Sequence, residues 1–158
     1  MTFRALPLPD TIPGRLWLHS MPGRREFWGD FLDEARLRQL NLVVCLNPLE
    51  EVAELSAGYY KAIREGRLPF RWMHVPMRDF GLAAETEAFR QGVTQLAQGL
   101  RLGDRALVHC AAGMGRTGTM AACVLKTLGL TASEALEAVR AAGSNPQSAV
   151  QSGLIQQF

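Results

Sequence analysis

Short unbroken apolar runs alternate along this chain with longer stretches in which apolar positions recur every three to four residues. The run at 105–109 is apolar on successive positions, the pattern of a short strand buried on both faces, and 15–19, 42–46 and 70–75, the last ending at Pro76, read as further strands. Residues 25–40 carry Phe27, Phe31 and Ala35 at four-residue spacing, and 85–102 carry Phe89, Val93, Leu96 and Leu100, so each stretch predicts a helix with one apolar face. Glu85 and Glu87 suit the start of the second. Residues 117–128 contain no proline and predict a third helix. Thr131-Ala132-Ser133-Glu134 reads as a capping box opening a further helix that buries Leu136 and Val139 and ends at Gly143-Ser144-Asn145-Pro146. Trp17 and Trp72 fall in strands and belong to the core. Strand and helix signals in alternation predict an α/β fold. Residues 1–158 form a single domain with a central, mostly parallel sheet flanked by helices on both faces. No internal repeat occurs, and only Met21 to Gly23 with its surroundings lacks clear structure, so no interdomain linker is expected.

The chemistry concentrates where the run 105–109 meets the helix at 117–128, in His109-Cys110-Ala111-Ala112-Gly113-Met114-Gly115-Arg116-Thr117-Gly118. Gly113 and Gly115 allow the loop to turn successive backbone N–H groups inward, and the helix directs its positive end at the same point. A phosphate-sized anion is held by such a cradle, with Ala111, Ala112, Gly113, Met114, Gly115 and Arg116 as its phosphate-binding residues. A helix N-terminus and a neighbouring cation also favour a reactive cysteine at Cys110. Arg116 adds a planar fork able to grip two phosphate oxygens. His109, on the strand end, is expected to orient the loop through the backbone and not to touch substrate.

This stretch resembles the signature of the cysteine-dependent protein phosphatases: His-Cys, five residues, then Arg followed by Ser or Thr. The resemblance implies that Cys110 attacks phosphorus to form a phosphocysteine, that Arg116 stabilises the transferring phosphoryl group, and that the Thr117 hydroxyl assists thiolate departure. It is to the compact dual-specificity group, since no stretch resembles the loop that deepens the pocket of the larger tyrosine-specific members. A shallower pocket admits phosphoserine and phosphothreonine as well as phosphotyrosine. The span from Gln147 through Gln151 to Phe158 is similar to that of the cyclin-dependent-kinase-associated phosphatases, where a glutamine positions the hydrolytic water; Gln151 is favoured here, with Gln147 the alternative. Lipid phosphatases that read multiply phosphorylated inositol rings place basic residues at the loop centre. Neutral Met114, with Ala111 and Ala112, favours a substrate with one phosphate.

The leaving group needs a proton, and strand direction selects its source. If 70–75 runs parallel to 105–109, the loop Met77-Arg78-Asp79-Phe80-Gly81 opens beside Cys110. Asp79 is then the general acid, in agreement with the family's acid on a loop before the cysteine. Asp104 precedes its strand and falls on the order of 15–20 Å away at the other edge. Asn47-Pro48-Leu49-Glu50-Glu51, at the end of the run 42–46, should face the same edge as Cys110. Arg78 and Phe80 are candidate substrate contacts.

Composition bounds the reading. The formal charge of +2 argues against a nucleic-acid partner, and the apolar windows are broken by charge short of a membrane span. Cys45, Cys110 and Cys123 lack paired spacing, which fits a reducing compartment and no metal site. Cys45 and Cys123 read by default as small buried hydrophobes, and of the two Cys45 is the better candidate for a resolving thiol to Cys110. Fifteen Arg against two Lys resembles a high-GC bacterial genome. The chain is expected to be a cytoplasmic monomer that requires no cofactor and acts on phosphorylated proteins or peptides. The alternatives are a non-protein phosphate ester (lipid, inositol or nucleotide), a non-catalytic phosphate-binding module, and sulfur-transfer or arsenate-reducing chemistry on the same loop.

Overall fold

Residues of the apolar runs point alternately to two separate cores, which is why a period-two element can be apolar throughout. In the computed structural model, which describes residues 3–78 and 86–158 (for Thr86, Ser148, Gln151 and Ser152 the backbone alone), these runs form β2 (Arg15–His19), β3 (Leu42–Cys45), β4 (Arg71–His74) and β5 (Arg105–His109). A strand not anticipated from sequence, β1 (Arg4–Leu6), pairs antiparallel with β2; it is three residues long and followed by Pro7 and Pro9, too short to show a period. The order is β1-β2-β5-β3-β4, with every pair after the first parallel.

Leu16, Leu18, Leu42, Val44, Ala106 and Val108 face the larger core. That core is closed by α4 (Thr86–Arg101), α5 (Gly115–Thr127), α6 (Ala132–Ala141) and α7 (Gln147–Ser152), followed by a 3-10 turn at Ile155–Gln157. Trp17, Val43 and Leu107 face the other side, covered by Phe31 and Ala35 of α1 (Trp28–Leu37). Cys45 on that side packs with Val52 of α2 (Leu49–Leu55) and Tyr59 of α3 (Ala57–Glu65). Phe89, Val93, Leu96 and Leu100 are buried on one stripe of α4, as their spacing predicts.

Several boundaries differ from the sequence reading. The helix in 25–40 is shorter, and Phe27 is 83% exposed because it is the extended N-cap residue, outside the helical repeat. The helix after the phosphate loop begins at Gly115, not Thr117. The Thr131 capping box is present, Thr131 N–H donating to Glu134 Oε1 and Glu134 N–H to Thr131 Oγ1, but Ala135 rather than Leu136 is the fully buried partner of Val139. Residues 49–65 fold as α2 and α3, and Gln147 opens the short helix α7.

Candidate active site

The parallel register sets the C-terminal ends of the strands level: His19, Cys45 and His109 are aligned, and Cys45 is aligned with His74 on β4. Whatever follows these residues meets at one edge. Cys110 is the first residue beyond β5, 3% exposed, and it packs in the larger core, whereas Cys45 belongs to the cluster on the opposite face. All three cysteines are free, and burial pushes the Cys45 and Cys123 thiols up to about 12, so both are protonated.

Four carbonyls of the loop Cys110–Met114 are held from outside. His109 Nδ1 lies 3.2 Å from Cys110 O, and Met21 N–H donates to Ala111 O at 3.2 Å. Gly113 O accepts from Ser144 Oγ at 2.7 Å and from Arg4 Nη2. Met114 O accepts from Gly118 N–H at 2.9 Å and Asn145 N–H at 3.3 Å. Gly113 has φ of +75° and a side chain there would meet His19 O at 2.6 Å, so this glycine is required twice over. Gly115 is helical with open space around it; only one of the two loop glycines serves conformational freedom.

His109 is fully buried and burial lowers it to about 3, so it is neutral. Its tautomer follows from the network. Trp72 Nε1–H donates to Tyr59 Oη at 2.9 Å, Tyr59 Oη lies 2.7 Å from His109 Nε2, and the phenol is raised well above its ordinary value by burial and stays protonated. Tyr59 therefore donates to Nε2, leaving Nδ1–H to donate to Cys110 O. His109 acts on the backbone of the loop.

Arg116, on the first turn of α5, is 8% exposed. Its Nη1 donates to Glu51 Oε2 at 2.9 Å, to Glu51 Oε1 at 3.2 Å and to Met77 O at 2.8 Å. Glu51 is steadied by Asn47 Nδ2 at 2.8 Å, and the adjacent Glu50 pairs with Arg78 at 3.2 Å. The stretch 47–51 thus faces the edge that carries Cys110. Thr117 Oγ1 is buried without a hydrogen-bond partner among the described residues. Asp104 lies at the other edge, its carboxylate 2.6 Å from Arg71. Asp79 and Phe80 fall outside the described residues, as do Glu85 and the Gln151 side chain; Gln147 is exposed. Among the described residues no group of three His, Cys, Asp or Glu side chains could hold a metal ion, and no helix is long and apolar enough to cross a membrane.

A loop of inward N–H groups, an arginine fork and a thiol at one sheet edge can hold a tetrahedral oxyanion against sulfur. Residues 12–153 match the family model of the DSP-PTPase phosphatase domain of the Swiss Army Knife type. The chain belongs to this family. No curated protein sequence matches it. Among solved structures, a kinase-associated phosphatase with its catalytic cysteine replaced by serine superposes with a TM-score of 0.84 at 17% identity, covering 100% of this chain and 93% of that one. Tk-PTP in its active form gives 0.70 at 29% identity, with both chains covered in full. PTPMT1 in complex with PI(5)P gives 0.66 at 22% identity, over 94% and 90% of the two chains. The fold is that of a compact dual-specificity phosphatase.

Within this phosphatase domain, sequence reasoning missed Arg4 and Tyr59, and it placed Glu51 at the right edge without giving it a role. The signal for Glu51 was its position after a strand parallel to that of Cys110. Arg4 and Tyr59 had none, since both act across the sheet from distant elements.

Proposed function

We propose that the chain hydrolyses phosphate monoesters of proteins, phosphotyrosine together with phosphoserine and phosphothreonine, through a phosphocysteine on Cys110. The Cys110 thiolate attacks phosphorus while the P–O ester bond breaks, and Asp79 gives its proton to the leaving oxygen. Arg116 and the loop N–H groups stabilise the charge on the equatorial oxygens. Water positioned by Gln151, or by Gln147, then attacks phosphorus and gives its proton to the Asp79 carboxylate. The sulfur leaves as thiolate, with the Thr117 hydroxyl donating to it.

The observation that carries this reading is the convergence of Cys110, the outward-clamped loop and the anchored Arg116 at one edge. The unpartnered Thr117 hydroxyl supports a donor role. A one-phosphate lipid is the rival substrate, because PTPMT1 with its bound PI(5)P shares the fold. The test is phosphate release in EDTA from phosphotyrosine, phosphothreonine and phosphoserine peptides and from phosphatidylinositol monophosphate. Release from peptides that is lost in Cys110→Ser and falls steeply in Asp79→Asn is expected. Release from the lipid alone overturns the protein assignment, and full activity of Asp79→Asn overturns the acid.

A further inference from the structure

Beside the phosphate loop runs an open groove of about 1150 Å³, walled by the segment after β2, the outer stripe of α1 and the loop residues Ala112 and Met114. Three of the four large hydrophobic side chains exposed among the described residues line it: Phe27 at 83%, Leu37 at 75% and Met114 at 44%. Exposed Phe27, at the extended N-cap, stands at one end of this wall and exposed Leu37, on the last turn of α1, at the other, with Asp30 and Glu34 between them, while Phe31 and Ala35 of the same helix turn into the core. At the end nearer Cys110 stand Arg24 and Arg25, both exposed and without an ion pair among the described residues. Their place follows from the chain: Met21 N–H donates to Ala111 O, and Arg24 N–H donates to Met21 O at 3.0 Å. The wall is held in shape by Glu26, whose carboxylate accepts from Gly23 N–H at 3.0 Å and lies 2.6 Å from His19 Nε2.

We propose that this groove binds the residues flanking the phosphorylated side chain of a protein substrate, with a carboxylate residue next to the phosphorylated one meeting Arg24 and Arg25 and an apolar residue beyond it resting on Phe27. The inference rests on the phosphatase reading above and names its substrate class. Charge decides the occupant. The two guanidinium groups attract a carboxylate, while farther along the groove Asp30 is acidic and Asp33 and Glu34 are ion-paired with Arg36 and Arg38, so that end offers the continuous anionic surface of a lipid bilayer no unpaired cation among the described residues. From the N-cap Phe27 to Leu37 the wall runs about 15 Å, the length of roughly four or five extended residues.

The experiment uses two phosphotyrosine peptides that differ only in having two Glu or two Lys beside the phosphotyrosine, followed by Leu. Binding is measured with Cys110→Ser protein, turnover with the native chain, and p-nitrophenyl phosphate reports the site without the groove. Two partly exposed charge pairs give the Glu peptide an advantage of about tenfold in both affinity and kcat/KM. Arg24→Ala/Arg25→Ala abolishes that advantage and leaves p-nitrophenyl phosphate turnover unchanged, while Phe27→Ala weakens both peptides. Equal affinity for the two peptides, a preference that survives in the double variant, or an equal loss on p-nitrophenyl phosphate overturns the proposal. So does displacement of the Glu peptide by phosphatidylinositol monophosphate vesicles whose binding needs Arg24 and Arg25. If the native chain turns over no phosphate ester while Cys110→Ser protein keeps the Arg24/Arg25-dependent preference, the phosphatase reading fails and the groove stands.

Discussion

Replacing Arg4 with Met tests whether the short first strand serves the active site. The guanidinium donates from Nη1 to Ala142 O at 2.9 Å and Ser144 Oγ at 3.0 Å, and from Nη2 to Gly113 O. Burial pulls its pKa below the ordinary arginine value, with the nearby Cys110 sulfur opposing, so the cation is retained by its contacts and not by solvent. A buried hydrogen bond to a charged group contributes roughly 1.5–3 kcal/mol. With three such bonds on a half-buried side chain, and Ser144 Oγ still on Gly113 O after truncation, the loss is about 2–4 kcal/mol. For a domain of this size that lowers Tm by about 5–15 °C. Because Gly113 O is held by both Arg4 and Ser144, the Arg4→Met/Ser144→Ala cycle in urea unfolding should show a coupling of about 0.5–2 kcal/mol. The loop shifts with its carbonyl, and kcat/KM for p-nitrophenyl phosphate falls on the order of tenfold. Arg4→Lys recovers only part, since an ammonium cannot span three acceptors. A stability change below about 0.5 kcal/mol with unchanged kcat/KM would refute the reasoning.

Three further outcomes are expected. Glu51→Ala, which removes the bidentate anchor of Arg116 Nη1, lowers kcat/KM on the order of 10–100-fold, while Glu51→Gln keeps a hydrogen-bond acceptor and recovers most of it; steady-state kinetics in which the two variants behave alike would remove the anchoring role. His109 is held neutral at about 3 when folded and titrates near 6.5 when unfolded, so the unfolded chain takes up the proton first and stability falls as pH drops through 6.5 towards 3. The loss from this group between pH 8 and 5 is about 2 kcal/mol, with His19, also lowered by burial, acting in the same direction; urea midpoints flat across that range contradict it. Gly113→Ala puts a Cβ on His19 O at a φ of +75° and should destabilise by about 2–4 kcal/mol, whereas Gly115→Ala costs under about 1 kcal/mol, a contrast read by thermal unfolding.

The strands β2, β3 and β5 were legible because burial on both faces leaves a near-continuous apolar run, the edge strand β4 because its aromatic and apolar residues stop at Pro76, and the loop because its chemistry is contiguous in sequence. Phe27 shows where periodicity misleads: it keeps the four-residue spacing of Phe31 and Ala35 yet lies one residue before the helix, where the backbone is extended. Residues 49–65 gave a weak helical signal, since α2 is seven residues long and buries only Val52. The anchors of the site were illegible for a different reason. Arg4 reaches Gly113 across 109 positions, Arg116 reaches Glu51 across 65, and Tyr59 reaches His109 across 50. No local pattern records a contact whose two ends are set by strand order.

Those distant contacts explain how a loop with few side chains acquires an anion site. In a trans peptide the C=O and the following N–H point in opposite directions, and no described peptide bond is cis. Holding the carbonyls of Cys110, Ala111, Gly113 and Met114 from outside therefore turns the N–H groups of Ala111, Ala112, Met114 and Gly115 to the inner side, where α5 begins. The four clamps come from the Tyr59–His109 network, the segment after β2, β1 with Ser144 of the α6–α7 connection, and α5 with Asn145 of that same connection. An anion cradle assembled this way cannot be loosened by one clamp without redirecting a donor, so variants at Arg4, Tyr59 or Ser144, none of which needs to touch phosphate, should lose stability and turnover together.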